Sequence, residues 1–567
     1  MKKQQFQIAA SVCLFAWLLL QSVGLDLPFK AVNLGGWLVI EGWMTPSLFD
    51  GIPNKDLLVS VATDMAVLRS AMNVEALLAE LGYRNDGTQV HFKSVRLNKY
   101  LCAENGGGSA LVANRDVPKR WETFRVSFLF FVLCLVLHIL LFVLVCALQH
   151  FVNLQLWRIN ETTFNFRVFN KDFVGLGTQG QGIKVFAHAA EPGIAETFKI
   201  VHNSDHPLRV RIQASNDFYL QAETENSVMA DYSGSLDDWG DQDPSVFEMH
   251  IVKNLQGEYQ LTNGYGPDEA PKILRNHWST YIVEDDFRFM SQNGLNAVRI
   301  PVGWWIIYDP VPPKPFVGGS LQALDNAFTW ALNYNMKVIL DLHAVPGSQN
   351  GNHHSGTRDG FLEWDNSKIQ ETVSVIDFLA KRYAGHPSLG AIELMNEPLA
   401  PGVTLDSLKE YYKEGYDAVR TYTASAYVIL SNRLGEANST ELFPLAAGFN
   451  YSVIDVHYYN RYSDYFKRLN GQQNVDYVYG KRSKELREVT REGGPLSFIG
   501  EWTADLYIDN ASMRDYRRFA KAQLDVYGKA TFGWAYWSYK CEQKHWSFSV
   551  LTATAFYSVI EDELGSF

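Results

Sequence analysis

Cysteine is scarce in this chain. There are 5 among 567 residues, at no spacing that would hold a metal ion. Excess positive charge is missing as well. A net charge of -12 and a pI near 5.7 argue against polyanionic partners such as nucleic acid. Long apolar runs occur in only two places, one at the N terminus and one at Val126–Phe151. The chain is too long for one core, so two or more domains are expected. Aromatic residues are plentiful at 14%, with 15 Trp and 28 Tyr. Most of these rings belong in cores, but rings also stack on the apolar faces of sugars.

Lys2 and Lys3 precede the apolar run Ile8–Leu20, and Ser22 and Gly24 are small residues placed for cleavage after Gly24. This is the pattern of a secretory signal over 1–24. Asn160, Asn438, Asn450 and Asn510 each begin an N-x-S/T sequon, which fits a secreted, glycosylated protein of the extracellular space or cell wall.

The chemistry is most legible at Ile392-Glu393-Leu394-Met395-Asn396-Glu397-Pro398. The stretch starts as a buried strand, and proline ends strand pairing, so Glu397 falls at a strand end. In a β/α barrel the C-terminal strand ends form the catalytic face. Cutting a glycosidic bond takes two carboxyls. Phe498-Ile499-Gly500-Glu501-Trp502 supplies a second glutamate in the same setting.

Val32–Val39 reads as a first barrel strand, followed by Glu41, yet the next strand of that character is Asn296–Pro301. The residues between, from about 49 to 275, read as an inserted domain. Within it, 53–85 reads as a connecting helical segment. From 86 to 255 an internal repeat appears: Val95–Leu101 resembles Arg167–Val174 and Arg211–Leu220. Each copy leads to a related strand, at Glu122–Arg125, Glu196–Lys199 and Ser245–Glu248. Short strands with Gly and Asn turns indicate an all-β module. Its three copies resemble a fascin-like β-trefoil, and the resemblance implies carbohydrate contact or spacing. Residues 256–273 read as a linker.

Val126–Phe151 is long and apolar enough for a membrane span. A crossing there would part the first strand from the rest of the barrel it must pair with, so a span is not expected. The repeat spacing offers another account. The Phe124–Phe198 interval exceeds the Phe198–Phe247 interval by roughly the length of Val126–Gln155. Val126-Ser127 can be encoded by GTAAGT and Leu154-Gln155 by TTGCAG, the two ends of an intron. The segment 126–155 therefore reads as a retained intron whose removal joins Phe124-Arg125 to Leu156–Ile159. It takes Cys134 and Cys146 with it, and with the signal gone only Cys102 and Cys541 remain, so no disulfide framework is needed.

Beyond 274 strands and helices alternate. Strands are expected at Val298–Pro301, Val338–His343, Ile392–Asn396, Tyr427–Leu430, Val453–His457, Phe498–Glu501 and Gly533–Trp537. With Val32–Val39 they reach the eight that a (β/α)8 barrel requires. Their ends carry Arg299, His343, Asn396, Glu397, His457, Tyr459, Glu501 and Trp537. Polar or aromatic groups at successive strand ends point to one active site.

The motifs V-N-L-G-G-W-L-V at 32–39, N-A-V-R-I-P-V-G-W-W at 296–305, D-L-H-A-V-P-G-S-Q-N-G at 341–351, N-E-P, H-Y-Y at 457–459, G-E-W and G-W-A-Y-W-S at 533–538 resemble glycoside hydrolase family 5, most closely its exo-β-1,3-glucanases. The inserted trefoil resembles the plant branch. The resemblance implies a TIM barrel made of 25–52 and 274–547, with a retaining mechanism. Glu397 would be the acid/base and Glu501 the nucleophile. Arg299 and Tyr459 would hold Glu501. Asn396 would bond the sugar 2-hydroxyl, His343 and His457 would line the subsite, Trp537 would be its stacking floor, and Glu41 would bind the far hydroxyls. No metal or cofactor is expected, and a monomer acting on a β-glucan or β-glucoside is. Mannan or xylan cleavage, or glycan binding without catalysis, are the alternatives. The tail 548–567 lacks the closing helix the family has.

Overall fold

The computed structural model describes residues 27–52, 88–116, 154–158, 162–177, 183–206, 208–253, 255–509, 511–543 and 546–549. The signal sequence, the segment 53–85, the sequons at Asn160 and Asn510, nearly all of 126–155 and most of the tail lie outside these residues.

The first strand, β1 (Phe29–Asn33), is followed by twelve strands of the insert. These are β2 (Thr88–Ser94), β3 (Lys99–Ala103), β4 (Leu111–Arg115), β5 (Leu154–Arg158), β6 (Thr163–Arg167), β7 (Phe173–Leu176), β8 (Val185–Ala189), β9 (Thr197–His202), β10 (Arg209–Gln213), β11 (Tyr219–Thr224), β12 (Ser227–Tyr232) and β13 (Phe247–Lys253). Seven more complete the barrel: β14 (Ala297–Gly303), β15 (Lys337–Ala344), β16 (Leu389–Glu393), β17 (Tyr427–Ser431), β18 (Ser452–Tyr458), β19 (Leu496–Trp502) and β20 (Gly533–Tyr536). The closed order is β1-β14-β15-β16-β17-β18-β19-β20, and β20 pairs in parallel with β1. Helices such as Ser320–Asn333, Ile369–Tyr383 and Leu405–Tyr422 connect successive strands.

The barrel interior is layered, because side chains two apart along a strand share a face. Ala31, Ala297, Ile339, Ala391, Ile429, Val453, Phe498 and Ala535 form one apolar cluster. Two residues further along seven of those strands stand Asn33, Arg299, Asp341, Glu393, Ser431, Asp455 and Gly500. An apolar floor thus carries a polar layer directly beneath the C-terminal face.

In the insert, β2, β5, β6, β9, β10 and β13 pair in a ring that closes from β13 back to β2. Three hairpins, β3–β4, β7–β8 and β11–β12, extend from it. Val90, Phe92, Phe164, Phe166, Phe198 and Phe247 pack in its buried centre.

Several bounds differ from the sequence reading. β1 stops at Asn33, and Leu34–Val39 is a buried turn rather than strand. Gly36 turns the chain at φ +69, a conformation that favours glycine. β16 covers Leu389–Glu393, so Asn396 and Glu397 lie beyond the strand. β5 begins at Leu154, two residues earlier than expected. The stretch 256–273 carries most of a helix, Glu258–Thr280, broken at Gly266 and packed on the barrel through Leu261, Ala270 and Leu274. Its Gly and Pro content made it read as a linker. Among the described residues no helix is long and apolar enough to cross a membrane.

Glu258 on this helix is fully buried, and its nearest backbone donor, Ile40 N, is 3.3 Å away. Burial pushes its carboxyl up to about 8. Between the ordinary value of 4.5 and about 8 the folded protein keeps a proton that the unfolded chain has lost, so stability falls as pH rises through that window. Replacing Glu258→Gln should flatten that slope, by up to about 1.4 kcal/mol per pH unit, in urea unfolding followed across the same window.

Candidate active site

A cavity of about 720 Å³ opens at the C-terminal face of the barrel. Glu41, His343, Glu397, His457, Tyr459, Glu501 and Trp537 all line it. Arg299 and Asn396 sit fully buried and hydrogen-bonded to each other, Nη2 to Oδ1, at 2.8 Å. The nine sequence candidates for catalysis and substrate contact therefore gather at one place. The sequon residues Asn438 and Asn450 are exposed elsewhere on the surface.

Arg299 organises the base of the site. Its guanidinium donates to Glu393 through Nε at 2.7 Å and Nη2 at 3.0 Å, to Asn33 Oδ1 at 2.9 Å and to Glu501 Oε1 at 3.1 Å. Asp341 Oδ2 lies 3.2 Å from Nη2. Because Asn396 accepts from Arg299, its amide orientation is fixed, and Nδ2 is left without a protein partner. Tyr459 donates to the other oxygen of Glu501 at 2.8 Å.

A second chain of contacts reaches Glu397. Asp455 Oδ1 accepts from Gly500 N at 2.7 Å, and Asp455 Oδ2 is 3.1 Å from His457 Nε2. His457 Nδ1 is 2.7 Å from Glu397 Oε1. A Cβ at Gly500 would come within 2.2 Å of Asp455, so glycine is required before Glu501. Glu397 holds φ +46, a costly conformation for a non-glycine residue. Ser431 Oγ accepts from its N–H at 3.3 Å, and Asn350 Nδ2 donates to its carbonyl at 3.1 Å.

The walls are equally determined. Trp537 stacks on His343 with ring centroids 5.5 Å apart, and a Cβ at Gly35 would meet Trp537 at 2.7 Å. His343 Nδ1 is 2.6 Å from Asp341. Glu41 accepts from Trp43 Nε1 at 2.8 Å. His354 Nε2 lies 3.4 Å from Glu397 and accepts from Asn350 at 2.9 Å. The sequence reading missed Asn33, Asp341, Glu393, Asp455, Asn350, His353 and His354. The first four are single polar residues inside apolar strands, and the pattern of polar positions two beyond the apolar floor could have found them.

The charges follow from this arrangement. Burial raises Glu501 to about 7 against the pull of His457 and Arg299. Burial also pushes Glu397 up, but the hydrogen bond and charge of His457 outweigh it and bring it down to about 2. Burial pulls His457 down, while Glu501, Asp455 and Glu397 overcome this and hold it well above the usual histidine range. Burial lowers His354 to about 4, leaving it neutral. Among the described residues, three groups have the spacing to hold a metal ion: Glu41 with His353 and His354, Glu393 with Asp455 and His457, and Glu397 with His457 and Glu501. In the second, Glu393 already accepts two bonds from Arg299.

A closed eight-stranded barrel with two carboxyls, Glu397 and Glu501, lining one cavity at its C-terminal face defines a TIM-barrel glycosidase. The chain belongs to glycosyl hydrolase family 5: the Cellulase (glycosyl hydrolase family 5) description matches residues 263–543. It is thus an O-glycosyl hydrolase. A second description, a domain of unknown function (DUF7910), matches 84–129 and 147–252. The glucan 1,3-beta-glucosidase of Schwanniomyces occidentalis is 32% identical over 338 residues, covering 53% of this chain and 79% of that protein. The probable glucan 1,3-beta-glucosidase A of Neosartorya fischeri is 33% identical over 337 residues, covering 53% and 79%. The crystal structure of rutinosidase from Aspergillus niger is 19% identical, with a TM-score of 0.46, over 53% of this chain and 89% of that one.

The Asp455–His457 contact makes a prediction. Replacing Asp455→Asn removes one of the negative charges that hold the imidazolium, so His457 should release its proton at lower pH. NMR titration of the His457 ring measures this, and turnover should fall by about tenfold or more as proton supply to Glu397 weakens.

Proposed function

We propose that the protein is a retaining β-glucosidase acting on β-1,3-glucan or related β-glucosides of the cell wall, with Glu501 as nucleophile and Glu397 as acid/base. The observation that carries this reading is the carboxyl separation: oxygens of Glu397 and Glu501 lie within 4.8 Å of each other. Retaining enzymes hold their carboxyls about 5–5.5 Å apart, whereas inverting ones leave about 6.5–9.5 Å for a water. The names of the similar fungal proteins support the β-1,3-glucan assignment.

The roles follow from what touches each carboxyl. Glu501 faces Arg299 and the Tyr459 hydroxyl, which stabilise its carboxylate against the burial that pushes it up to about 7, so the nucleophile is ionised above that pH. Glu397 faces His457 at 2.7 Å. Transfer of the His457 proton across that contact gives a protonated Glu397 and a neutral imidazole with no change in total charge. Glu501 then attacks the anomeric carbon while Glu397 protonates the departing glycosidic oxygen. In the second half, Glu397 takes a proton from water, whose oxygen displaces Glu501 from the sugar. The free Nδ2 of Asn396 donates to the sugar 2-hydroxyl, a bond that strengthens as charge develops at the ring. Glu41 and Trp537 hold the rest of the glucosyl unit. Glu501→Gln should abolish turnover, and an activated fluorosugar should label Glu501. Glu397→Ala should keep activity only on substrates with good leaving groups. NMR of the first-formed product should show the β-anomer, and an α-anomer would overturn the retaining mechanism.

We also infer a secreted protein beginning near Leu25, which the exposure of Asn438 and Asn450 supports, and a β-trefoil insert over 86–255. The ring of six strands with three hairpins supports the latter. The inter-strand register bears on 126–155. Val90 pairs with Leu154 where Phe164 pairs with Phe198 and Val210 with Phe247. Removal of Val126–Gln155 would bring Phe124 into the place of Leu154, giving all three repeats phenylalanine there. The DUF7910 match also skips 130–146. Active enzyme from its source should yield a tryptic peptide joining Trp121–Arg125 to Leu156–Arg158 by missed cleavage. Repeated recovery of peptides from within 126–155 would mean the segment belongs to the protein.

A further inference from the structure

The second repeat of the insert reaches the barrel through Arg167 and Lys171. Arg167, largely buried at the end of β6, donates to Asp359 Oδ2 at 2.6 Å and to Glu363 Oε1 at 3.1 Å. Its guanidinium lies 4.9 Å from the Phe361 ring centroid, and Lys171 Nζ reaches the Leu362 carbonyl at 3.4 Å. The strands that match β6 in the other two repeats, β2 and β10, end in Ser94 and Gln213, so the grip is not part of the repeat pattern.

The residues gripped belong to the loop between β15 and helix Ile369–Tyr383, and the other limb of that loop lies in the active site. Gln349 Nε2 donates to the carbonyls of His343 and Asn396, both at 2.8 Å. Asn350 bonds the Glu397 carbonyl and His354. The two limbs press together: Glu363 N donates to Gly347 O at 2.7 Å, and a Cβ at Gly351 would come within 2.5 Å of the Gly360 carbonyl. Backbone packed this closely shifts as a unit. The helix that follows the insert holds the same limb, with Gln260 Nε2 donating to the carbonyls of Thr357 and Arg358 at 2.8 and 2.9 Å.

We propose that the inserted domain is a brace for the active site: Arg167 fixes the 345–364 loop in the form that sets Asn350 and His354 against Glu397. Arg167 is then a positioning residue, acting through Glu397 and not on the substrate. This rests on the acid role of Glu397, and it gives the insert a part in catalysis that does not depend on binding glycan itself.

The consequence is a loss specific to proton donation. In the full-length enzyme, Arg167→Met should lower kcat about tenfold on an alkyl β-glucoside, whose leaving group needs a proton. On a dinitrophenyl β-glucoside, which does not need one, glycosylation should be nearly unchanged. Arg167→Lys, which keeps a charge toward Asp359, should recover part of the loss. Asp359→Asn approaches the same pair from the barrel side and serves where Arg167→Met fails to fold. Hydrogen exchange of 347–364 should rise in both charge-removing variants. Equal losses on the two substrates would mark general damage and overturn the proposal, as would parent-like kinetics with parent-like exchange in the loop. Should the parent enzyme cleave neither glucoside, the catalytic reading fails, while the exchange data still decide whether Arg167 holds the loop.

Discussion

The site depends on one buried guanidinium. Arg299 has no exposure, and Asp341, Glu393 and Glu501 all lie within 3.2 Å of it. Three carboxyls at this depth would repel one another and would each carry a heavy desolvation cost. A single cation shared among them offsets both effects, and Asn33 and Asn396 bond the remaining donors. The shared charge is still too little for all three. Burial holds Glu393 well above the ordinary carboxylate range despite its two bonds from Arg299. The polar layer is therefore short of positive charge, and this deficit keeps His457 protonated at the far side of the cavity.

The deficit also separates the two glutamates of the cavity. Glu501 shares the field of Arg299 and the Tyr459 hydroxyl, while Glu397 meets an imidazole that is itself pinned by Asp455. Asp455 reaches both sides at once, through His457 toward Glu397 and through the Gly500 amide toward the strand that carries Glu501. A glycine at 500 is what lets that carboxylate lie against the backbone. The G-E-W and N-E-P motifs are thus halves of one arrangement joined through β18, which neither motif contains.

That division explains what the sequence made legible. Strand-ending glutamates next to proline or glycine stand out because local backbone chemistry marks them. The barrel was legible because eight apolar stretches of strand length are hard to accommodate otherwise. Leu34–Val39 misled because a buried turn is as apolar as a strand, and only Gly36 betrays it. The stretch 256–273 misled in the other direction, since Gly266 and Pro267 look like a break yet the helix on both sides packs on the barrel. Asp341, Glu393 and Asp455 were passed over because one acidic residue inside an apolar strand carries no local signal, and its partner is a strand away. The 345–364 loop has no periodicity at all. Its Gln, Asn and His residues gain meaning only from the carbonyls they reach.

The place of insertion follows from the same geometry. The chain stays on the barrel through Phe49 and Ile52, and the segments that frame the insert are joined in a stem, with Gly42 N donating to Gln256 O at 2.7 Å and Glu41 bridged to Gly257. With the framing segments held together, the barrel does not depend on the length of chain between them, and each doubling of that length costs only about 0.6 kcal/mol. The closed stem has a second effect. Glu41 stands in it and lines the cavity, and Gly257 packs so tightly on the His353 carbonyl that a Cβ there would come within 2.4 Å. The insert joins the barrel at Gln256-Gly257 on its C-terminal side, so tilting it there disturbs Glu41, His353 or both. The geometry that made insertion cheap for the barrel therefore also tied the insert to the active-site wall.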